Sequence, residues 1–119
     1  MTRPASYPTE PKYFWDKFSE ITQVPRPSRK EEKIRQYLID EATKNDLKHA
    51  VDGVGNVIIY VPGTSGKEGD VPVIIQNHID MVTDATPDRD IDFENDPISL
   101  LIEDGWVTAD RTTLGADNG

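Results

Sequence analysis

A chain of 119 residues suffices for one domain and is too short for two of ordinary size. Thirteen basic against 22 acidic residues give a formal charge of -9, which opposes binding to a nucleic-acid backbone or an anionic membrane. With no cysteine there is neither a disulfide framework nor a thiolate zinc site, so a bound metal must be held by imidazole and carboxylate groups; this suits a reducing cytoplasm.

No stretch approaches the length of an apolar membrane span, and the opening MTRPASYPTEP lacks the character of a signal peptide. Neither nucleic acid nor membrane is expected as a partner, and the protein reads as cytoplasmic. Residues 1–10, rich in Pro, Ser and Thr, predict a flexible lead-in that buries little, with the ordered domain running over 11–119. A hydrophobic content of 35% makes the expected core thin.

From Pro11 to Val24, the residues Phe14, Phe18 and Ile21, with Trp15 beside them, recur at helical spacing and predict one apolar helix face. Pro25 and Pro27 then force an extended segment. Ser28 with Glu31 reads as a capping box opening a second helix over 29–45, its inner face formed by Ile34, Tyr37, Leu38, the stem of Glu41, and Ala42. His49, near the end of that helix, reads as a dipole partner or plain surface.

After that the apolar period shortens. Residues 47–51 and 56–61 predict strands around the turn residues Asp52, Gly53 and Gly55, and 62–70 a Gly-rich loop. The continuously apolar 71–78 predicts a strand buried on both faces, 83–96 an acidic solvated loop, and 98–102 with 106–109 a β-hairpin turning at Asp104-Gly105. Two helices followed by such strands argue for an α/β domain.

Chemistry concentrates at two places. In a strand, His78 and Asp80 project to the same side, where a carboxylate can fix the tautomer of a metal-binding imidazole; the alternative is a hydrogen-bonded structural histidine. Asp117, within GADNG, reads either as turn chemistry or as a carboxylate whose small neighbours admit a cation and whose two oxygens bridge a metal pair. Thr112 and Thr113 either bond to such a site or build the turn. Nothing suggests a nucleophile elbow or a phosphate-cradling loop.

VGNVIIYVPG, VIIQNHIDMV, FENDPISLLIEDGWVTA and TTLGADNG, in this order and preceded by PRPSRKEEKIRQYL, resemble the N-terminal part of the aminoacyl-histidine dipeptidases, carnosinase-like cytosolic zinc exopeptidases. The likeness runs from about Tyr13 to the end, and NHIDMV together with TTLGADNG is its specific part. It implies the N-terminal part of a zinc-exopeptidase α/β domain, incomplete in this chain, with a dimerising domain farther along and a homodimer in the complete protein. It also implies that His78 is a ligand to one zinc ion, that Asp80 holds this imidazole as its catalytic partner, and that Asp117 bridges two zinc ions, or other divalent metals. The implied reaction is hydrolysis of small peptides such as Xaa-His dipeptides by a metal-activated water, with a glutamate general base and the remaining ligands expected downstream. These 119 residues alone would then be inactive, and 71–78 would lack neighbouring strands. The alternatives are a non-catalytic remnant acting as an interaction module, and a related zinc aminotripeptidase or amidohydrolase.

Overall fold

The computed structural model describes residues 3–117. Helix α1 (Lys12–Thr22) begins directly after Pro11, whose ring holds φ at -69° and which needs no main-chain donor there. Its inward face is not the one the apolar spacing predicts. Ser19 and Thr22 are the buried positions, while Phe14 stays 52% exposed. The small hydroxyl residues allow close approach and satisfy themselves locally, Ser19 Oγ donating to Asp16 O and Thr22 Oγ1 to Ser19 O. Phe14, Trp15 and Phe18 instead form an aromatic cluster with Tyr7, the Phe14 and Tyr7 rings each meeting Trp15 edge to face.

Tyr7, within the proline-rich lead-in, packs against this cluster. It is only 7% exposed, and its hydroxyl donates to Trp15 O at 2.9 Å. Arg3 pairs with Asp16 at 2.6 Å. The part of the lead-in within the described residues therefore lies against α1; Met1 and Thr2 lie outside them.

Helix α2 (Glu32–Lys44) starts later than the proposed capping box requires. No side chain caps it: Glu31 Oε1 accepts from Arg29 N at 2.6 Å, and the Ser28 hydroxyl donates elsewhere, to Asp80. Ile34 and Ala42 are its buried residues, as the spacing predicts. Between the helices, Lys17 Nζ reaches Glu20 Oε2 at 2.8 Å and Glu41 Oε2 at 2.7 Å, and Tyr37 OH donates to Glu20 at 2.8 Å.

Strands β1 (Lys48–Val51) and β2 (Val57–Tyr60) form an antiparallel hairpin, and α2 packs on both. His49 belongs to β1, opposite Ile59, and not to a helix end. Gly55, at φ 93°, carries the turn; its carbonyl accepts from Arg35 Nε, and a side chain there would strike the Arg35 guanidinium. A second antiparallel hairpin joins β3 (Leu100–Glu103) to β4 (Trp106–Ala109), with Asp104 and Gly105 both at positive φ, as the two-residue turn demands. Ile98, just before it, is buried and donates its N–H to Thr22 O, tying this hairpin to the end of α1.

The α/β expectation thus holds as two helices with two antiparallel hairpins, but one predicted strand is absent. Residues 71–78 form no strand, and Val71, Val73, Ile74 and Ile75 are between 85% and 90% exposed. A strand exists only through the neighbours that accept and donate its main-chain bonds. Among the described residues, none bonds to the main chain of 71–77.

Two outcomes follow. Ile34→Ala removes the most buried large apolar side chain of α2, and should cost about 2–5 kcal/mol by urea denaturation. Glu20, held below the usual carboxylate range chiefly by its bond from Lys17, contributes stability above its unfolded value of roughly 4.3 and loses it as pH falls through and below that value. Being one-third exposed, it is worth less than about 1 kcal/mol. The urea midpoints of wild type and Glu20→Gln should therefore differ at pH 7 and converge in acid.

Candidate functional site

Three lengths of chain lie side by side where the candidate residues collect. Met81 N donates to Arg26 O at 3.0 Å and Ser28 N to Met81 O at 3.3 Å, so Pro27 and Met81 form a parallel bridge. On the other side, Thr113 N donates to Asp84 O at 2.9 Å, Thr86 N to Arg111 O at 3.0 Å, and Ala85 and Thr112 form an antiparallel bridge. Thr113 Oγ1 adds a bond to Val82 O at 2.8 Å, so this threonine builds the seam. The prolines around Arg26 keep its segment extended and so able to pair in this way.

The seam brings together the three residues that the sequence singles out. His78 Nδ1 lies 3.1 Å from Asp80 Oδ1 and 3.0 Å from Asp80 O, while Nε2 lies 3.5 Å from Asp117 Oδ2. The imidazole therefore sits between two carboxylates. Asp80 is held in turn, its other oxygen accepting from the Ser28 hydroxyl. That bond, followed by the one from His78, keeps the Asp80 carboxyl below its usual range against the opposing effect of burial.

Two contributors were not legible as such in the sequence. Ser28 carried the signature of a helix cap, and only the tertiary arrangement gives its hydroxyl to Asp80. Arg26 is 3% exposed beneath the cluster, with Nη2 donating to Gly115 O at 2.5 Å and Nη1 to Ile79 O at 3.4 Å. Nothing in the sequence marked Arg26 for burial, since an arginine between two prolines reads as an exposed residue on an extended segment. His49, at the β1–β2 hairpin with Nδ1 3.4 Å from Leu47 O, contributes nothing to the cluster.

The donor chemistry fits zinc in part. His78 Nε2 and the Asp117 oxygen are donor types that zinc takes, and their 3.5 Å separation is that of a direct imidazole–carboxylate contact. Among the described residues, no group of three or more His, Cys, Asp or Glu side chains is placed to hold a metal ion. A cleft of about 480 Å³ opens beside Ser28, lined by Arg29, Lys30, Thr83, Ile91, Phe93 and Glu94 among others.

No family model matches the chain. It is 42% identical over 109 residues to the cytosol non-specific dipeptidase of Escherichia coli (strain K12), an alignment covering 92% of this chain and 22% of that protein. The crystal structure of the aminoacylhistidine dipeptidase from Vibrio alginolyticus superposes with a TM-score of 0.86 at 44% identity, over 91% of this chain and 22% of that one. The chain spans about a fifth of the length of these relatives. In sequence and in fold it is similar to a portion of the aminoacylhistidine dipeptidases, consistent with their N-terminal portion.

Proposed function

We propose that this chain supplies part of the active site of a cytosolic zinc dipeptidase acting on small peptides of the Xaa-His type. The observation that carries the reading is His78 held by Asp80 on one nitrogen and facing Asp117 with the other. In the tautomer that carries a proton on Nδ1, His78 donates to Asp80 and presents the Nε2 lone pair to a metal. Ser28 keeps the Asp80 oxygens in place by bonding the one that His78 does not use. Asp117 offers one oxygen beside Nε2 and has a second for another cation. When bound, zinc supplies Lewis acidity that polarises the peptide carbonyl and eases loss of a proton from water. Two donors are fewer than the three or four of a protein zinc site, so the other donors and the general base of this reading lie outside the described residues.

The exposed apolar residues Val71, Val73, Ile74 and Ile75 favour a second reading, in which the chain folds against another polypeptide as an interaction module. Light scattering on the 119-residue chain separates the two, since a defined complex would favour the module and a monomer the first reading.

In protein expressed from its complete reading frame, hydrolysis of a histidine-containing dipeptide should stop on chelation and return with zinc. His78→Ala and Asp117→Asn should each lower kcat/KM by about 100-fold or more, and Asp80→Asn should weaken zinc binding about 10–100-fold. Turnover unaffected by chelation would sink the zinc reading. The 119-residue chain purified alone should show neither turnover nor tight stoichiometric zinc binding.

A further inference from the structure

Arg26 is joined to both halves of the candidate site by different parts of itself. Its main-chain carbonyl accepts from Met81 N at 3.0 Å, fixing it to the segment that carries His78 and Asp80. Its guanidinium reaches the carbonyl of Ile79, between those two residues, and that of Gly115, two residues before Asp117. A guanidinium is a rigid planar fork, so two carbonyls bonded to its two terminal nitrogens cannot drift apart independently.

The surrounding chain is shaped to admit it. Gly115 has φ 69°, a conformation that favours glycine, and a Cβ there would lie 2.8 Å from Arg26 Nη2 and 2.9 Å from Met81 Cβ. Arg26 Nε is buried with no hydrogen-bond partner among the described residues. An apolar side chain filling the same space would avoid that unpaired donor, so packing alone does not account for an arginine here. What the arginine adds is the pair of carbonyl bonds.

We propose that Arg26 is a positioning residue that sets the separation of His78 and Asp117 by clamping the carbonyls of Ile79 and Gly115 to one guanidinium. As a contribution to a metal site this rests on the reading above, but the spacing itself is measurable without metal.

The experiment uses the 119-residue chain, metal-free and labelled with 15N-histidine, with every variant compared at one fixed pH. The probe is the shift of the His78 ring nitrogens caused by Asp117→Asn, measured in different backgrounds. With Arg26 present, that substitution should move the Nε2 signal. In Arg26→Met, with amide signals of both helices and both hairpins unchanged, the response should fall at least threefold. Arg26→Lys restores the charge but not the fork, and should not restore the response. Should Arg26→Met fail to fold, Gly115→Ala perturbs the clamp from the other side, and should reduce the response with Arg26 still present.

An equal response with and without Arg26 overturns the proposal, as does no response in wild type. Full rescue by lysine also overturns it, in favour of a purely electrostatic role toward Asp80 and Asp117. Failure of the zinc reading shows in the chelation experiment and leaves this result standing.

Discussion

The candidate site depends on one seam of main-chain hydrogen bonds. The chain from Met81 to Thr86 is held by Arg26 and Ser28 on one side and by Arg111 and Thr113 on the other. Residues distant in sequence become neighbours only because these short extended segments satisfy one another's N–H and C=O groups. The side chains reinforce the same seam: Thr113 Oγ1 bonds Val82 O, Ser28 bonds Asp80, and Arg26 spans Ile79 and Gly115. With the segments in place, His78 has a carboxylate at each ring nitrogen.

Apolar burial elsewhere is sparse. Tyr7, Ile34, Ala42, Met81 and Ile98 are the buried hydrophobic residues among those described, and much of the cohesion between elements is polar. The Lys17, Glu20, Glu41 and Tyr37 cluster joins the helices, and Arg35 ties α2 to the turn at Gly55. Ile98 N to Thr22 O and Gln23 Nε2 to Ile98 O join α1 to the chain entering the second hairpin. The apolar run of 71–75, in contrast, faces outward. The same stretch of chain therefore carries the most exposed apolar side chains and, a few residues later, the candidate metal ligand.

How far the fold was legible depended on the range of the interactions that determine each element. Both helices were visible because Pro11 and the spacing of Ile34 and Ala42 act within a few turns. The hairpin turn at Asp104-Gly105 was visible because two adjacent positive φ angles favour such residues. The capping role given to Ser28 was not realised, since a hydroxyl has several acceptors within reach and the sequence does not show that Asp80 will be one. The inner face of α1 was misjudged for a related reason: apolar spacing measures what a face is able to bury, whereas close packing here selects the small residues Ser19 and Thr22.

The sequence by itself determined the local features: where the helices lie, where the chain turns, and that His78 and Asp80 are close, because two residues of backbone leave them little freedom to separate. It also held the resemblance that links NHIDMV to TTLGADNG. Tertiary structure alone decided that Asp117 meets His78, that Ser28 and Arg26 support them, and that 71–78 forms no strand. Each of these is settled by a partner distant in the chain, or by the lack of one among the described residues, and hydrophobic periodicity reports a segment's capacity to be buried without saying what covers it.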